Sequence, residues 1–144
     1  MTLEASYIER LKAIDPPVFR IVGDAADFAS LVGEPKATPA AYVMVEEEQS
    51  GENQRMTGPV LQRTEADIAV IVVTRNVSDG RGGAAAHDIA NLKPTVRKSL
   101  VGFVPDGVDD AEPTEHVSSN LLKAKNGHVW QRELFGTAYT QEEV

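Results

Sequence analysis

The sequence contains no cysteine, and this absence excludes several kinds of chemistry at once. Without thiols there is no disulfide framework, no thiolate nucleophile and no zinc site built on cysteine. The chain of 144 residues must therefore be stabilised by a packed core. This composition is compatible with the reducing environment of a cytoplasm.

Long apolar runs and positive charge are also scarce. No uncharged segment approaches the roughly 20 residues of a membrane-spanning helix, and residues 1–10 lack the basic leader and apolar core of a signal peptide. The net charge of −8, from 22 acidic and 14 basic residues, argues against a protein whose main task is to grip a phosphate backbone. We expect a soluble protein that stays where it is made and does not contact a membrane.

Residues 66–103 are the part of the chain around which the fold is organised. Both alternate sets of positions in residues 68–73 are apolar, which is typical of a strand covered on both faces. After Gly83 the apolar residues recur every three or four positions, which predicts a helix with one apolar stripe. These positions are Ala85, Ile89, Leu92, Val96, Leu100 and Phe103. Pro94 lies inside this pattern and predicts a kink or a break into two helices.

Shorter elements surround this centre. The patterns predict a helix that ends before Pro16, a strand at 18–22, a short helix at 25–32 capped by Asp24, and a strand at 40–45. Asn126 and Gly127 are the strongest hairpin signal, with strands at 121–125 and 128–139. The order predicts an α+β fold with a mainly antiparallel sheet and helices on one face. The opposite face then keeps apolar side chains, and a second chain is the economical cover for it.

The expected organisation is one domain over residues 1–144. Residues 1–17 form its N-terminal helical region, and residues 140–144, which are polar and acidic, are expected to be a loose tail.

The glycine-rich segment from Asp79 to Gly83 allows two interpretations. Loops between a strand and a helix can bind phosphate, but no Lys-Ser or Lys-Thr follows these glycines and the spacing is not that of a dinucleotide fingerprint. A helix cap by Ser78 or Asp79 is the favoured interpretation, and a nucleotide- or phosphate-binding enzyme domain is the alternative.

Residues 49–58 are almost devoid of apolar side chains and predict a long loop or hairpin tip that contacts a partner. The candidate interaction residues in it are Glu52, Asn53, Gln54 and Arg55. Arg55 is its only basic residue, and we expect it to bridge to acids of another chain; a freely solvated loop is the alternative interpretation. The preceding acids at 46–48 are interpreted as a solvated strand end rather than a metal site.

No set of residues predicts catalysis, a metal site or a cofactor site. His87, His116 and His128 lie in unrelated contexts without zinc-ligand spacing, and we interpret them as surface or capping residues. Ser99 lies in the predicted helix without the glycines of a nucleophile elbow. The acids between Pro105 and Pro113 lack the glycine spacing of a calcium loop and are interpreted as solvated.

Several segments combine, in order and spacing, into a larger similarity over residues 18–139. They are Pro39-Ala40-Ala41-Tyr42-Val43, the polar loop through Asn53, Gly58 with Gln62 before the long strand, Arg75-Asn76-Val77-Ser78-Asp79-Gly80-Arg81-Gly82, Leu100-Val101-Gly102-Phe103-Val104-Pro105, and the last hairpin with Trp130 and Phe135. Together they resemble the tail terminator, or tail completion, proteins of long-tailed bacteriophages and gene transfer agents. Phe103 stands where the family leads us to expect a tryptophan.

The resemblance implies a virion protein that is neither an enzyme nor a cofactor binder. It implies a homo-oligomeric ring, expected to be a hexamer, at the head-proximal end of the tail tube. Such a ring stops tube polymerisation and presents a surface to the head-tail connector, and it is assembled in the host cytoplasm. Its partners would be further copies of itself, the tail tube protein and the connector or neck protein, with DNA only passing through an acidic lumen. Arg75 and Arg81 join the candidate interaction residues on this basis, and a generic adaptor without a ring is a further alternative.

Overall fold

The computed structural model describes residues 1–75 and 83–144, and describes side chains from residue 88 onward in the second of these ranges. The elements in chain order are α1 Leu3–Lys12, β1 Ile21–Gly23, α2 Ala25–Ala29, β2 Ala40–Ser50, β3 Leu61–Arg75, α3 Gly83–Leu100, β4 Glu115–Lys125 and β5 His128–Glu142. The predicted α+β class is confirmed.

One five-stranded sheet with the order β1-β2-β3-β5-β4 organises the chain. β3 lies at its centre and pairs antiparallel with β2 on one side and with β5 along its whole length on the other. β4 pairs antiparallel with β5, while β1 pairs parallel with β2. β1 and β4 are therefore the two edges of the sheet.

The main core lies between this sheet and the two longer helices. Tyr7 and Leu11 from α1 and Val96 from α3 pack with the inward positions of β3, of which Val70 and Val72 are fully buried. α3 is one continuous helix with Pro94 inside it, so the predicted break into two helices is not found. The two longer helices cover the same face of the sheet.

The short helix α2 lies on the opposite face. Its Phe28 contacts the rings of Tyr42 and Trp130, with centroids 5.5 and 6.2 Å away, in a second apolar cluster that also includes Ile71 and Val73. Asp24 caps this helix as predicted, because its side chain accepts a hydrogen bond from the Asp27 backbone. This chain thus covers by itself part of the face that the sequence assigned to a second chain.

Three strands extend beyond their predicted bounds. β2 continues through Glu46, Glu47 and Glu48 to Ser50, because every one of its last four residues has a partner in β3. β4 begins at Glu115, six residues before its predicted start. The prediction of a loose tail at 140–144 is wrong for residues 140–142, since β5 runs to Glu142, which pairs with Leu61.

The turn between β4 and β5 is the predicted one. Asn126 and Gly127 have φ values of 54° and 76°. Both are in the left-handed conformation, which a two-residue turn needs in order to match the right-handed twist of the strands that it joins. Along the part of the chain described here, no helix has the combination of length and apolarity needed to cross a membrane.

Candidate assembly surfaces

The polar loop between β2 and β3 is held by its own hydrogen bonds. The Asn53 side-chain oxygen accepts from the backbone N–H groups of Arg55 and Leu61, at 3.1 and 3.0 Å. The backbone N–H of Gln54 donates to the Leu61 carbonyl at 2.7 Å. Of the candidate interaction residues, Asn53 therefore shapes the loop, while Glu52 and Gln54 are exposed.

Arg55 points toward its own chain. Its Nη1 donates to the carbonyl of Pro59 at 3.1 Å and lies 3.3 Å from a carboxylate oxygen of Glu142. Within a single chain this guanidinium therefore has intramolecular partners, and a contact of the loop with another chain stays a prediction.

The structure does not bring the remaining candidates to this loop. Arg75 is exposed at the far end of β3, and a 15-residue strand spans roughly 45 Å. Arg81 and most of the glycine-rich segment from Asp79 to Gly83 lie outside the described residues. Contacts made through the loop and through Arg75 would therefore belong to different ends of the molecule.

The two ends of the sheet carry opposite charge. Along the strands, the level of Arg132 marks the boundary. Every charged strand residue between that level and the Arg75 end is basic, and we call this part the basic end. These residues are Arg75, Lys123 and Lys125. In the other direction the charged strand residues are acidic with the single exception of Arg63, and we call this the acidic end. Those with exposed surface are Glu46, Glu47, Glu48, Glu65, Asp67, Glu115 and Glu142.

At the acidic end, Arg63 binds the loop that precedes β4. Its guanidinium lies 3.4 Å from Asp110 and 3.0 Å from Glu112, and it also donates to the carbonyl of Asp110. Nearby, the Tyr139 hydroxyl donates to Glu48 at 2.7 Å. Burial, with the hydrogen bond and the charge of Glu48, raises the pKa of Tyr139 to about 12.

The β4 edge exposes apolar side chains. Val117, Leu121 and Leu122 keep 56%, 58% and 45% of their surface exposed, and β4 contains register irregularities beside Val117 and Leu122. Lys123 lies over the ring of Trp130, with its ammonium 4.3 Å from the centroid.

The β1 edge borders an open groove of about 520 Å³. Its lining includes Val22, Leu31, Val32 and the acids Asp27 and Glu34, and Val32 is 97% exposed. Both edges of the sheet thus combine apolar surface with charge.

Beneath α3 lies a buried charge that none of these surfaces uses. Glu133 is fully buried, and its Oε1 accepts a 2.7 Å hydrogen bond from Nε of Arg97. His116 Nε2 is 3.3 Å from the same oxygen but without hydrogen-bond geometry. This cluster joins α3 to the sheet.

Among the described residues, no group of three or more His, Asp or Glu side chains could hold a metal ion. His128 is buried, with Nδ1 3.1 Å from the carbonyl oxygen of Asn126, so its predicted surface position is wrong. His116 stacks edge-to-face on Phe135, and the side chain of His87 is outside the described part of the chain.

The comparison with known families decides the identity. The family model for the phage tail terminator protein matches residues 3–143. The chain belongs to the phage tail terminator family. It is a structural component of a phage-type tail, and the resemblance found in the sequence is confirmed.

Solved structures share the fold of this tail terminator. A chain from the virion of a native gene transfer agent particle superposes with a TM-score of 0.61 at 16% identity, covering 97% of this chain and 96% of that one. A second solved chain has a TM-score of 0.52 at 15% identity, covering 94% of this chain and 91% of that one. No curated protein matches the sequence.

Sequence reasoning missed three features of the terminator's surfaces and core. The groove at the β1 edge needs residues from β1, α2 and the following loop, which no local pattern connects. The stacking of Lys123 on Trp130 follows from a shifted register in β4. The burial of Glu133 could have been predicted, because alternation along β5 places it on the same inward face as Gln131 and Phe135.

Proposed function

We propose that this tail terminator forms a homo-oligomeric ring, a hexamer, on the head-proximal end of the tail tube. There it ends tube polymerisation and provides the surface for head-tail joining. The observation that carries the proposal is the segregation of charge between the two ends of the sheet, together with two free sheet edges in a member of this family.

The two ends suit a subunit that separates two different partners. One end is rich in carboxylates, and the other carries Arg75, Lys123 and Lys125. The two ends attract partner surfaces of opposite charge, so they set the orientation of a subunit that lies between two partners. One end would contact the tube protein and the other the connector. Neither end needs an enzymatic group for this role.

The free edges suit a ring. β1 and β4 lie at opposite sides of the sheet, so a contact between them is head-to-tail, and such contacts close into rings when the rotation is right. The net charge of −8 would let DNA pass through the lumen without being retained.

The proposal is tested by tail length. Electron microscopy of particles from producing cells without the gene should show tubes of uncontrolled length and heads without tails. Supplying the gene should restore tails of uniform length joined to heads. As a matched control, a chain carrying Val70→Asp, whose folding we expect to fail, should not restore them.

The native mass gives an independent measure of the ring. Light scattering of the protein, alone and bound to tubes, should show a species about six times the 15.5 kDa of one chain. Uniform tails in the absence of the gene, or a protein that is monomeric both free and on tubes, would refute the proposal.

A further inference from the structure

The two edges of the sheet lie at the same height along the strands. Following the pairing across the sheet from Ile21 leads through Ala40, Val73 and Trp130 to Lys123. Following it from Val22 in the same way leads to Leu121. The three residues of β1 are thus level with the segment from Asn120 to Lys123 at the opposite edge.

The strand directions are also compatible. β1 runs parallel to β2, and β2 is antiparallel to β3; β4 is parallel to β3, because both are antiparallel to β5. β4 and β1 therefore run in opposite directions. Placed side by side at the same height, the β4 edge of one copy and the β1 edge of another form an antiparallel pair, the arrangement in which an exposed edge accepts a further strand.

Apolar surface is exposed at both edges. Leu121 and Leu122 project from one edge with about half of their surface in solvent, and Val32 is almost wholly exposed beside the groove at the other. Apolar groups that are rimmed by polar residues mark interaction sites on soluble proteins. The groove is large enough for leucine side chains to enter.

The charges are complementary. Lys123 lies on the same face of the sheet as Trp130, and by register this is the face that carries Tyr42 and helix α2. Asp27 of α2 and Glu34 line the groove on that side, together with one base, Lys36. A basic β4 edge thus meets a groove whose acids outnumber its base.

We propose that the β4 edge of one subunit docks beside β1 of the next, with Leu122 against the groove lined by Leu31 and Val32. The occupant of the groove is a second copy of this chain. The contact rests on the proposed ring, and it specifies which surfaces close it. Lys123 then faces Asp27 and Glu34 of the neighbouring subunit.

The absence of native cysteine makes a direct test possible. The variant Val32→Cys/Leu122→Cys carries one thiol on each proposed surface and should be treated with a short bis-maleimide under conditions in which tubes are capped. If the contact is head-to-tail, a denaturing gel should show a ladder of cross-linked products, from one chain up to the full ring. Each single-cysteine variant should give at most a trace of dimer.

A matched control places the second thiol elsewhere. Val104 is 52% exposed and lies outside β4 and the groove, so Val32→Cys/Val104→Cys should not give the ladder. In a second experiment, Leu122→Asp should remove the ring species seen by light scattering, while Val104→Asp keeps it. Melting curves of both aspartate variants should match, which separates loss of assembly from loss of folding.

The outcomes distinguish the contact from the function. If rings form on tubes but Val32→Cys/Leu122→Cys cross-links no more than the Val104 control, the edge contact is overturned and the proposed ring is not. Retention of the ring by a folded Leu122→Asp variant would overturn it as well. Uniform tails without any ring species would overturn both the contact and the proposed function.

Discussion

Arg97 on α3 donates a 2.7 Å hydrogen bond from Nε to Glu133, a carboxylate with no exposed surface in the centre of β5. The other oxygen of Glu133 has no hydrogen-bond partner among the described residues. A buried carboxylate with one strong partner depends on that partner, because its water shell has already been removed.

Replacing Arg97 with Met should therefore destabilise the protein by roughly 3–5 kcal/mol, since it leaves the charge of Glu133 unpaired. The double variant Arg97→Met/Glu133→Met removes both charges and should recover most of that loss. Lys98→Met, an exposed change on the same helix, is the control and should fall within about 0.5 kcal/mol of the unchanged protein. Urea unfolding measures all three, and equal stability of the single and double variants would contradict the ion-pair explanation.

Replacing Val70 with Asp should prevent folding. Val70 is fully buried in the main core, and an unpaired carboxylate there costs several kcal/mol, against a total stability of about 5–15 kcal/mol for a typical domain. Val101→Asp, at a half-exposed position after α3, should fold normally. Circular dichroism with thermal melting checks both variants, and a cooperative transition in Val70→Asp would show that β3 is not central to the core.

The stability of the protein should fall between about pH 10 and pH 12. The pKa of Tyr139 is about 12 in the folded chain against 10.0 ordinarily, so its stabilising contribution is complete below pH 10 and is lost as the pH rises through this window. Burial also raises the pKa of Tyr7 and Tyr42, so they add to the same trend. Tyr139→Phe should reduce the slope of unfolding free energy against pH in this window, as measured by denaturant titration at each pH. A slope identical to that of the unchanged protein would mean that burial and Glu48 do not raise the pKa of Tyr139 in the folded chain.

The loop at the acidic end should act through its exposed residues. Because Arg55 is engaged with Pro59 and Glu142, Arg55→Ala should cost less than about 1 kcal/mol and leave tails normal in length. We expect Glu52→Lys/Gln54→Lys, which reverses the charge of the exposed surface, to keep the fold and to disturb tail length or head joining. Electron microscopy and melting curves together test this, and normal tails from the double lysine variant would exclude the loop from assembly.

The parts of the fold that the sequence predicts are those in which local pattern and burial agree. β3 is apolar on both alternate sets and is buried on both faces, and Asn126-Gly127 forms the predicted turn. Edge strands give a weaker signal: most of β4 is exposed on both faces, so its polar first half, beginning at Glu115, shows no alternation. The acidic end of β2 is a strand because of its pairing with β3, which its own residues do not indicate.

The candidate surfaces were predicted less well, because they depend on residues distant in the chain. The role of Arg55 is set by Glu142, which is 87 positions away. Covering of the second sheet face depends on Phe28, whose partners Tyr42 and Trp130 come from two other elements. The type of a residue indicates that its side chain needs a partner, but it does not indicate which residue that partner is.

The register irregularities beside Val117 and Leu122 also limit what the β4 edge can pair with. An unbroken flat edge of 11 residues would accept any extended chain and could template aggregation, whereas bulges twist an edge and interrupt its row of hydrogen-bonding groups. The segment from Asn120 to Lys123, which spans the irregularity at Leu122, can then receive only a short strand such as the three residues of β1. Such an edge favours a short partner and disfavours the long continuous pairing that builds fibres.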